Sequence, residues 1–569
     1  MMDEALSSTS PVPDVAFGDY LAEVNLAMRA LEISRDPTAG FEVQFLRQIS
    51  RNLEKVAQRR IRVISNAGAL NPKGLAEKIS DLCKEKGLDL KIAYTGGDNI
   101  LPTFQELQAS GEIFGHLEDG RAFDVKKDKI LSANAYLGAW PIVEALEAGA
   151  DIIITGRCTD ASPVIAAAAW WHGWSRSADY DKLAQALLAG HAIECGGYVT
   201  GGNCGAFKPY LETGNYFNLS PPVAEISHDG DVIITKIDSC NGWVNVDTVT
   251  HQILYEIQGN IYLNPDVTAD IHNISVVEAG ENRVRISGVK GYPPPHTTKI
   301  AICSVGGYQA EYHTFATGPD VDEKKAAKLE FIRKTVPDLD QRFTTFEIQQ
   351  FGVPQENPRN ENLASVFFRI FAQGPTLDSF RLEPTSQPDL KSIINQEGLG
   401  CYNGMYPNLD FRLSTPKPYA VYWPGLMDAR PLKQWYELLK PKREIDAGET
   451  TKDRVLVTNP PGTVEAMKSE DYDSGEGPHG PIPTEAIQNL GPTKSVPLGT
   501  VTLARSGDKG GNANVGFYVR NADEYDWLRK TLNKATFRSM MAEEDIGAKV
   551  ERVEFPGLLA VHFLCHDIL

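Results

Sequence analysis

Four apolar runs between Ile61 and Trp174 each break off into a polar loop that holds or borders glycine or a small residue. IRVIS is followed by Asn66-Ala67-Gly68, KIAYT by Gly96-Gly97-Asp98-Asn99, KILSA by Asn134-Ala135-Tyr136, and DIIIT by Gly156-Arg157-Cys158-Thr159-Asp160. Strands that alternate with helices build a parallel sheet, and such sheets gather ligands beyond the carboxyl ends of their strands. The pattern predicts an α/β fold whose four loops meet in one crevice. Pro72 and Pro141 fit the first turn of a helix, which predicts helices from there to about Lys86 and to Gly149. Helical spacing also runs over residues 17–31 and 41–58, after an opening segment to about Pro13 that reads as loose.

Past about Phe207 the texture changes to α+β. AEISHDGDVIITK reads as a hairpin turning at Asp229-Gly230, and NRVRISGV, KIAICSV, FTTFEIQQF and LASVFFRIF read as strands, with a helix over 321–334. The organisation expected is a main domain over 1–440 (a parallel α/β part at 15–206 and an α+β part at 207–440), then a linker at 441–497 and a small α+β module at 498–569. The linker is rich in Pro, Gly and acidic residues, as in EDYDSGEGPHGPIP, and such a stretch buries too little apolar surface to offset its ordering entropy. VLVTN within it could form a short strand. In the last module VTLAR and VGFYV read as strands joined by a long loop, SGDKGGNAN, with two helices and two strands following.

A chain of 569 residues exceeds one core, and 42% hydrophobic with 23% charged residues is the balance of a globular protein. The net charge of −19 argues against nucleic acid as a partner. Eight cysteines without CxxC spacing argue against a zinc ribbon or a disulfide framework, and the start MMDEALSSTSPVPD lacks a secretory pattern. No apolar run reaches the ~20 residues of a membrane span. The expectation is a cytoplasmic protein acting on a small molecule, without membrane attachment, and assembled as a homo-oligomer.

The polar loops carry the candidate chemistry. Arg157, at a strand-to-helix junction, could grip a carboxylate, while Thr159 or Asp160 caps the helix. Asp98 follows two glycines that admit a ligand closely, and could serve as a general base or acid. In GHAIECGGYVTGGN, His191 and Glu194 share a helical face suited to proton transfer, and Cys195 stands before a glycine turn where a nucleophile could sit. Metal ligation is not expected, because the second histidine of H-E-x-x-H is missing. The catalytic candidates are therefore Asp98, Arg157, Asp160, Glu194 and Cys195. Substrate contacts are expected from Asn66, Gly96, Gly97, Asn99, Asn134, Tyr136, Gly156, Ser162, Gly197, Thr200, Asn203 and Lys509. Lys509 lies in a loop that lacks P-loop spacing but could close over the main site.

TGGDN, SANAYLGAWPIVEALEAGADIIITGRCTDAS, GHAIECGGYVTGGN, ITKIDSCNGWVNVDTVTHQILYEIQGNIYLNPDVTAD, YPPPHTTK and LARSGDKGGNANVG, taken in order, resemble the acyclic terpene utilisation AtuA family. The resemblance implies an amino-terminal AtuA domain and a carboxy-terminal domain of ferredoxin-like fold, in a setting of acyl-CoA catabolism. Family members open with a glycine-containing first strand close to G-F-x-G-D-R ahead of a GDYLAE-like string. Here GDYLAE occupies residues 18–23, and the expectation is that nothing before it supplies that strand. The function expected is a lyase or hydratase/dehydratase step on a small carboxylate or branched acyl-CoA, the latter as substrate, with no cofactor predicted. In that scheme Arg157 holds a carboxylate, Asp98 or Glu194 moves the proton, and amides near Gly97 and Gly197 stabilise an enolate. The rivals are a hydrolase using Cys195 or Ser162, and an accessory subunit of an acyl-CoA pathway.

Overall fold

Ile152, Ile153 and Ile154 are all fully buried, because the strand they form is covered on both faces. Ile152 and Ile154 pack with Phe45, Ile49 and Leu53 of the helix Val43–Arg59 and with Leu75 and Ile79 of Pro72–Glu85. Ile153 faces the other way, onto Ile142 of Trp140–Glu147, Ile165 of Ser162–His172 and Leu187 of Tyr180–Ile193. A strand buried on both faces has no polar alternation to show, which is why DIIIT reads as a continuous apolar run.

The structure, a computed structural model, describes residues 1–124, 129–382, 388–394, 402–439, 454–482 and 491–569. The chain is mixed α/β and divides into two units. One comprises Met1–Asp124, Ser132–Ile302 and Tyr422–Leu569, and the other Val125–Leu131 and Cys303–Val421. The central sheet of the first unit runs in the order Val15–Gly18, Arg62–Ser65, Ile152–Ile154, Ile92–Gly96, Gln434–Leu438, Val455–Val457. Its first four strands are mutually parallel, whereas Gln434–Leu438 joins antiparallel to Ile92–Gly96, and Val455–Val457 antiparallel to it in turn.

Three expectations are corrected here. A strand does precede Asp19: Val15–Gly18 pairs with Arg62–Ser65 at the sheet edge, and the helix that follows starts only at Glu23. With four half-buried residues, that strand carries too weak a pattern to separate from the helical spacing beyond it. KILSA is not part of the central sheet. The strand Ile130–Ala135 ends beside the start of Thr297–Thr317, where the Tyr136 N–H donates to Lys299 O at 2.9 Å. The segment taken for a linker is largely anchored across 454–482, with 441–453 and 483–490 outside the described residues. Asp471 accepts from the Arg552 N–H at 3.0 Å, the Glu470 N–H donates to Asn260 Oδ1 at 3.0 Å, and Tyr472 is buried. Polar composition hid these bonds, because each partner lies far away in sequence.

The expected hairpin is formed by Pro222–Ile226 and Val232–Lys236 around Asp229-Gly230, with Gly230 at φ +90°. In the carboxy-terminal module four antiparallel strands run in the order Leu503–Lys509, Asn512–Tyr518, Ala560–Cys565, Val550–Phe555. Tyr518, Val553 and Phe555 on one face join the core of the first unit, while Phe517 and Phe563 on the other pack against Leu528 and Phe537 of the module's helices. The segment SGDKGGNAN is not a long loop. Pairing continues to Lys509 opposite Asn512, so only Gly510-Gly511 turn, with Gly510 at φ +65°. In the second unit the helix Val321–Thr335 sets Ile332 against Phe368 and Ile370 of Ser365–Gly374, which alternates strictly between half-buried and buried.

His566, near the chain end, donates from Nδ1 to Glu118 at 2.6 Å and lies 3.5 Å from Glu551. Hydrogen bonds to these two carboxylates raise its pKa from 6.5 to about 9. A raised pKa in the fold means this contribution is complete below pH 6.5 and fades as pH climbs through about 9. After solvent screening it amounts to about 1 kcal/mol. Urea midpoints compared from pH 6 to 10 should therefore decline in the native protein, and His566→Gln should remove that part of the slope.

Candidate active site

Asp98 ends the strand Ile92–Gly96 two residues on, and its carboxylate turns inward. Its Oδ2 accepts from Asn134 Nδ2 at 2.8 Å and from the Arg157 N–H at 3.0 Å, and Asp98 is 4% exposed. Gly156 is required beside it, since a Cβ there would stand 2.5 Å from Asp98 Oδ2. Burial raises the Asp98 pKa against the pull of these bonds. The arrangement makes Asp98 a brace that ties three loops together, not an open base.

Arg157 is 1% exposed, and its guanidinium is taken up by the protein itself. Nη1 donates to Leu21 O, Nε to Cys158 O at 2.7 Å, and Nη2 to Asp160 Oδ1 at 2.5 Å and to Cys158 O. Its plane lies over Tyr136, 4.6 Å from the ring centre. The expected grip on a substrate carboxylate is therefore corrected: this fork organises Asp160 and the loop at Leu21. Asn66 is likewise internal, donating to Asp19 Oδ1 at 2.6 Å and accepting from the Tyr20 N–H at 2.7 Å.

Around this inner layer lies a cluster of charges. Lys509, carried on the carboxy-terminal hairpin, sits 3.2 Å from Asp160 Oδ2 and 2.8 Å from Glu256 Oε2. Gly507 lets the hairpin approach, because a Cβ there would come within 2.8 Å of Glu256. Lys299 pairs with Glu23 at 3.0 Å, and Tyr136 donates to the same carboxylate at 2.9 Å. Lys299 also lies over the rings of Tyr136 and Tyr422. Burial alone would raise Asp160 and Glu23, but Lys509 and Arg157 hold Asp160 below the usual carboxylate range, and Lys299, Lys509 and Arg157 do so for Glu23. Burial would lower Lys509, yet Asp160, Glu23 and Glu256 keep it well above its ordinary value.

Glu194 departs from this pattern. Its side chain is 4% exposed, and Oε2 has no hydrogen-bond partner among the described residues. Burial, then the nearby charge of Asp160, pushes its pKa well above the ordinary range, which favours its protonated form. His191 Nδ1 stands 3.6 Å from Glu194 and 3.5 Å from the Tyr262 hydroxyl, and its buried Nε2 likewise lacks a partner among the described residues. Burial and then Lys509 lower His191 to about 4, which keeps the ring neutral. Asp19, like Glu194, is raised by burial and by Asp160.

Other expected site residues are placed in the framework. Gly96 and Gly97 make room for the strand Gln434–Leu438 and its approach, since Cβ atoms would meet Trp435 at 2.2 Å and Lys433 O at 2.3 Å. A Cβ on Gly197 would meet Met1, and Thr200 donates to Ser220 O at 2.8 Å. Asn99 and Asn203 are exposed, and Asn203 offers its carbonyl to Arg505. Ser162 is buried against the Thr159 hydroxyl. Burial, with Glu194 and Glu256 beside it, raises the Cys195 thiol, and burial carries Cys158 to about 12. Cys195 should accordingly react with iodoacetamide at pH 8 at least about tenfold more slowly than a free cysteine, scored by peptide mass spectrometry. Rapid stoichiometric labelling with loss of activity would restore the hydrolase reading.

Asp19, Glu23, Glu256, Lys299, Tyr262 and Tyr422 were not foreseen. Asp19 had a usable signal, the apolar run VAF ending in glycine and aspartate, with Glu23 four residues on, while Glu256, Tyr262, Lys299 and Tyr422 come from distant elements. Among the described residues, no three His, Cys, Asp or Glu side chains are arranged to hold a metal ion, and no helix is long and apolar enough to cross a membrane.

The family described as acyclic terpene utilisation family protein AtuA matches residues 2–438. The chain belongs to the AtuA family. Its end, residues 496–569, matches the AtuA ferredoxin-like domain, which is the four-stranded module that carries Lys509. Neither a curated protein nor a solved structure matches the chain. Family membership places the chain in acyclic terpene utilisation, a catabolic setting, without specifying a reaction.

Proposed function

We propose that this AtuA-family chain is a lyase of the hydratase/dehydratase type acting on a branched acyl chain carried as a thioester, such as an acyl-CoA. One observation carries the reading: two carboxyls in one cluster sit in opposite environments. Asp160 is held ionised by Lys509 and Arg157, whereas burial and Asp160 shift Glu194 toward its protonated form, and its Oε2 has no partner among the described residues. Such a pair assigns base and acid roles in general acid–base chemistry. In the dehydration direction, Asp160 takes a proton from the carbon next to the carbonyl, and its electron pair forms the carbon–carbon double bond. The hydroxyl on the adjacent carbon leaves with the Glu194 proton as water, and hydration reverses each transfer. A thioester is favoured over a free carboxylate because Arg157, Lys299 and Lys509 are each already paired with a carboxylate. The test is to incubate the protein with branched 3-hydroxyacyl-CoAs and enoyl-CoAs in deuterated water. Gain or loss of one water, with deuterium entering beside the carbonyl, is expected. Neither change over the series would overturn the reading.

A further inference from the structure

A cavity of about 700 Å³ in the first unit borders the charge cluster, and neither Asp98 nor Arg157 lines it. Its wall is mostly apolar: Phe17, Phe45, Val63, Val164, Ala168 and Ile226 all contribute. Glu194 and Asp19 line the same cavity. They are also the two carboxyls of the cluster that stand outside its ion pairs with Arg157, Lys299 and Lys509. Val12 and Trp171 in the lining are each 54% exposed, so the apolar wall reaches the surface.

We infer that this cavity binds the aliphatic tail of an amphipathic substrate and sets an uncharged oxygen of that substrate, a hydroxyl or carbonyl, against Glu194. The choice of oxygen rests on the proposed acid–base role of Glu194, whereas the tail site stands on the cavity alone. Size argues for a chain of intermediate length, because the volume lies in the range of pockets that enclose whole small-molecule ligands and far exceeds what a short acid would fill. Charge argues for a neutral head. Glu194 Oε2 is a buried group without a partner among the described residues, and the cations of the adjoining cluster, Arg157, Lys299 and Lys509, are each already paired with a carboxylate. Buried polar groups are normally satisfied, so a ligand oxygen answers Glu194 where aliphatic walls cannot. The helix Ser162–His172 supplies one wall and the strand Pro222–Ile226 another, so the two sides can be filled independently.

The probes are 1-butanol, 1-hexanol, 1-octanol and 1-decanol, with octanoate as the charged counterpart, titrated calorimetrically into the full chain. Affinity should tighten about fourfold per added methylene until the cavity is filled, with a negative heat-capacity change. Octanoate at neutral pH should bind at least about tenfold more weakly than 1-octanol, reflecting the cost of burying a charge without a partner. Ala167→Trp and Ala224→Trp narrow the cavity from its two walls, and each should weaken 1-octanol at least about tenfold while circular dichroism reports an intact fold. One of the two retaining structure is enough to read the result. Affinity independent of chain length, or unchanged in a folded blocking variant, would overturn the tail site, and tighter octanoate would overturn the neutral head. Glu194→Gln separates the two proposals. Chain-length-dependent binding with full turnover in that variant removes the acid role and leaves the tail site, whereas lost turnover without such binding does the reverse.

Discussion

Arg157→Ala should destabilise the first unit by about 3–5 kcal/mol, read as a lower urea midpoint, and not merely weaken a ligand. The guanidinium is fully buried and serves Leu21 O, Cys158 O and Asp160 together, with Tyr136 stacked at 4.6 Å. Truncation strips two buried carbonyls of their donor and leaves Asp160 with Lys509 as its nearest cation. Removing one partner of a buried pair is far costlier than the pair's net worth, because the remaining charge keeps its desolvation penalty. Arg157→Lys should fall in between, since one ammonium cannot reach three oxygens that a planar fork serves at once. An unchanged midpoint in Arg157→Ala, accompanied by lost ligand affinity, would show that the guanidinium faces ligand after all.

Glu194→Gln should lower turnover by about 100- to 10,000-fold and alter stability by less than about 1 kcal/mol. The amide matches the shape of the protonated carboxyl that burial and Asp160 favour, so the fold loses little. What disappears is a transferable proton. The sign of the pH dependence follows from the raised pKa: activity that needs the protonated acid extends to higher pH than an ordinary carboxyl would allow and is lost as pH rises through the Glu194 value. Glu194→Asp should recover part of the activity, because it restores the proton at a shorter reach. Full activity in Glu194→Gln would exclude this carboxyl as the acid.

How far the sequence could be read depends on the distance between partners. The strands around residues 62–65, 92–96 and 152–154 and the helices after Pro72 and Pro141 were legible, because each is a local pattern of spacing and punctuation. KILSA was misassigned for the same reason: a short apolar run states that a strand forms but not which sheet receives it. In the sequence, Gly96 and Gly97 predict room for a ligand. They are room for Gln434–Leu438, a strand more than three hundred residues away. The anchored stretch at 454–482 escaped notice because its bonds go to residues such as Asn260 and Arg552.

The sequence alone determined the family, the strand-to-loop junctions that bring Asp98, Arg157 and Asp160 together, and the presence of Glu194 and Lys509 in polar, glycine-rich surroundings. Only the tertiary structure decided which of these groups are spent on one another and which remain available. That division depends on burial and on opposing charge, and both come from elements that meet only on folding. Arg157 is consumed by Leu21 O and Asp160, Lys509 arrives from the far end of the chain, and Glu194 holds its proton more tightly than an ordinary carboxyl because burial, reinforced by the charge of Asp160, makes ionisation costly.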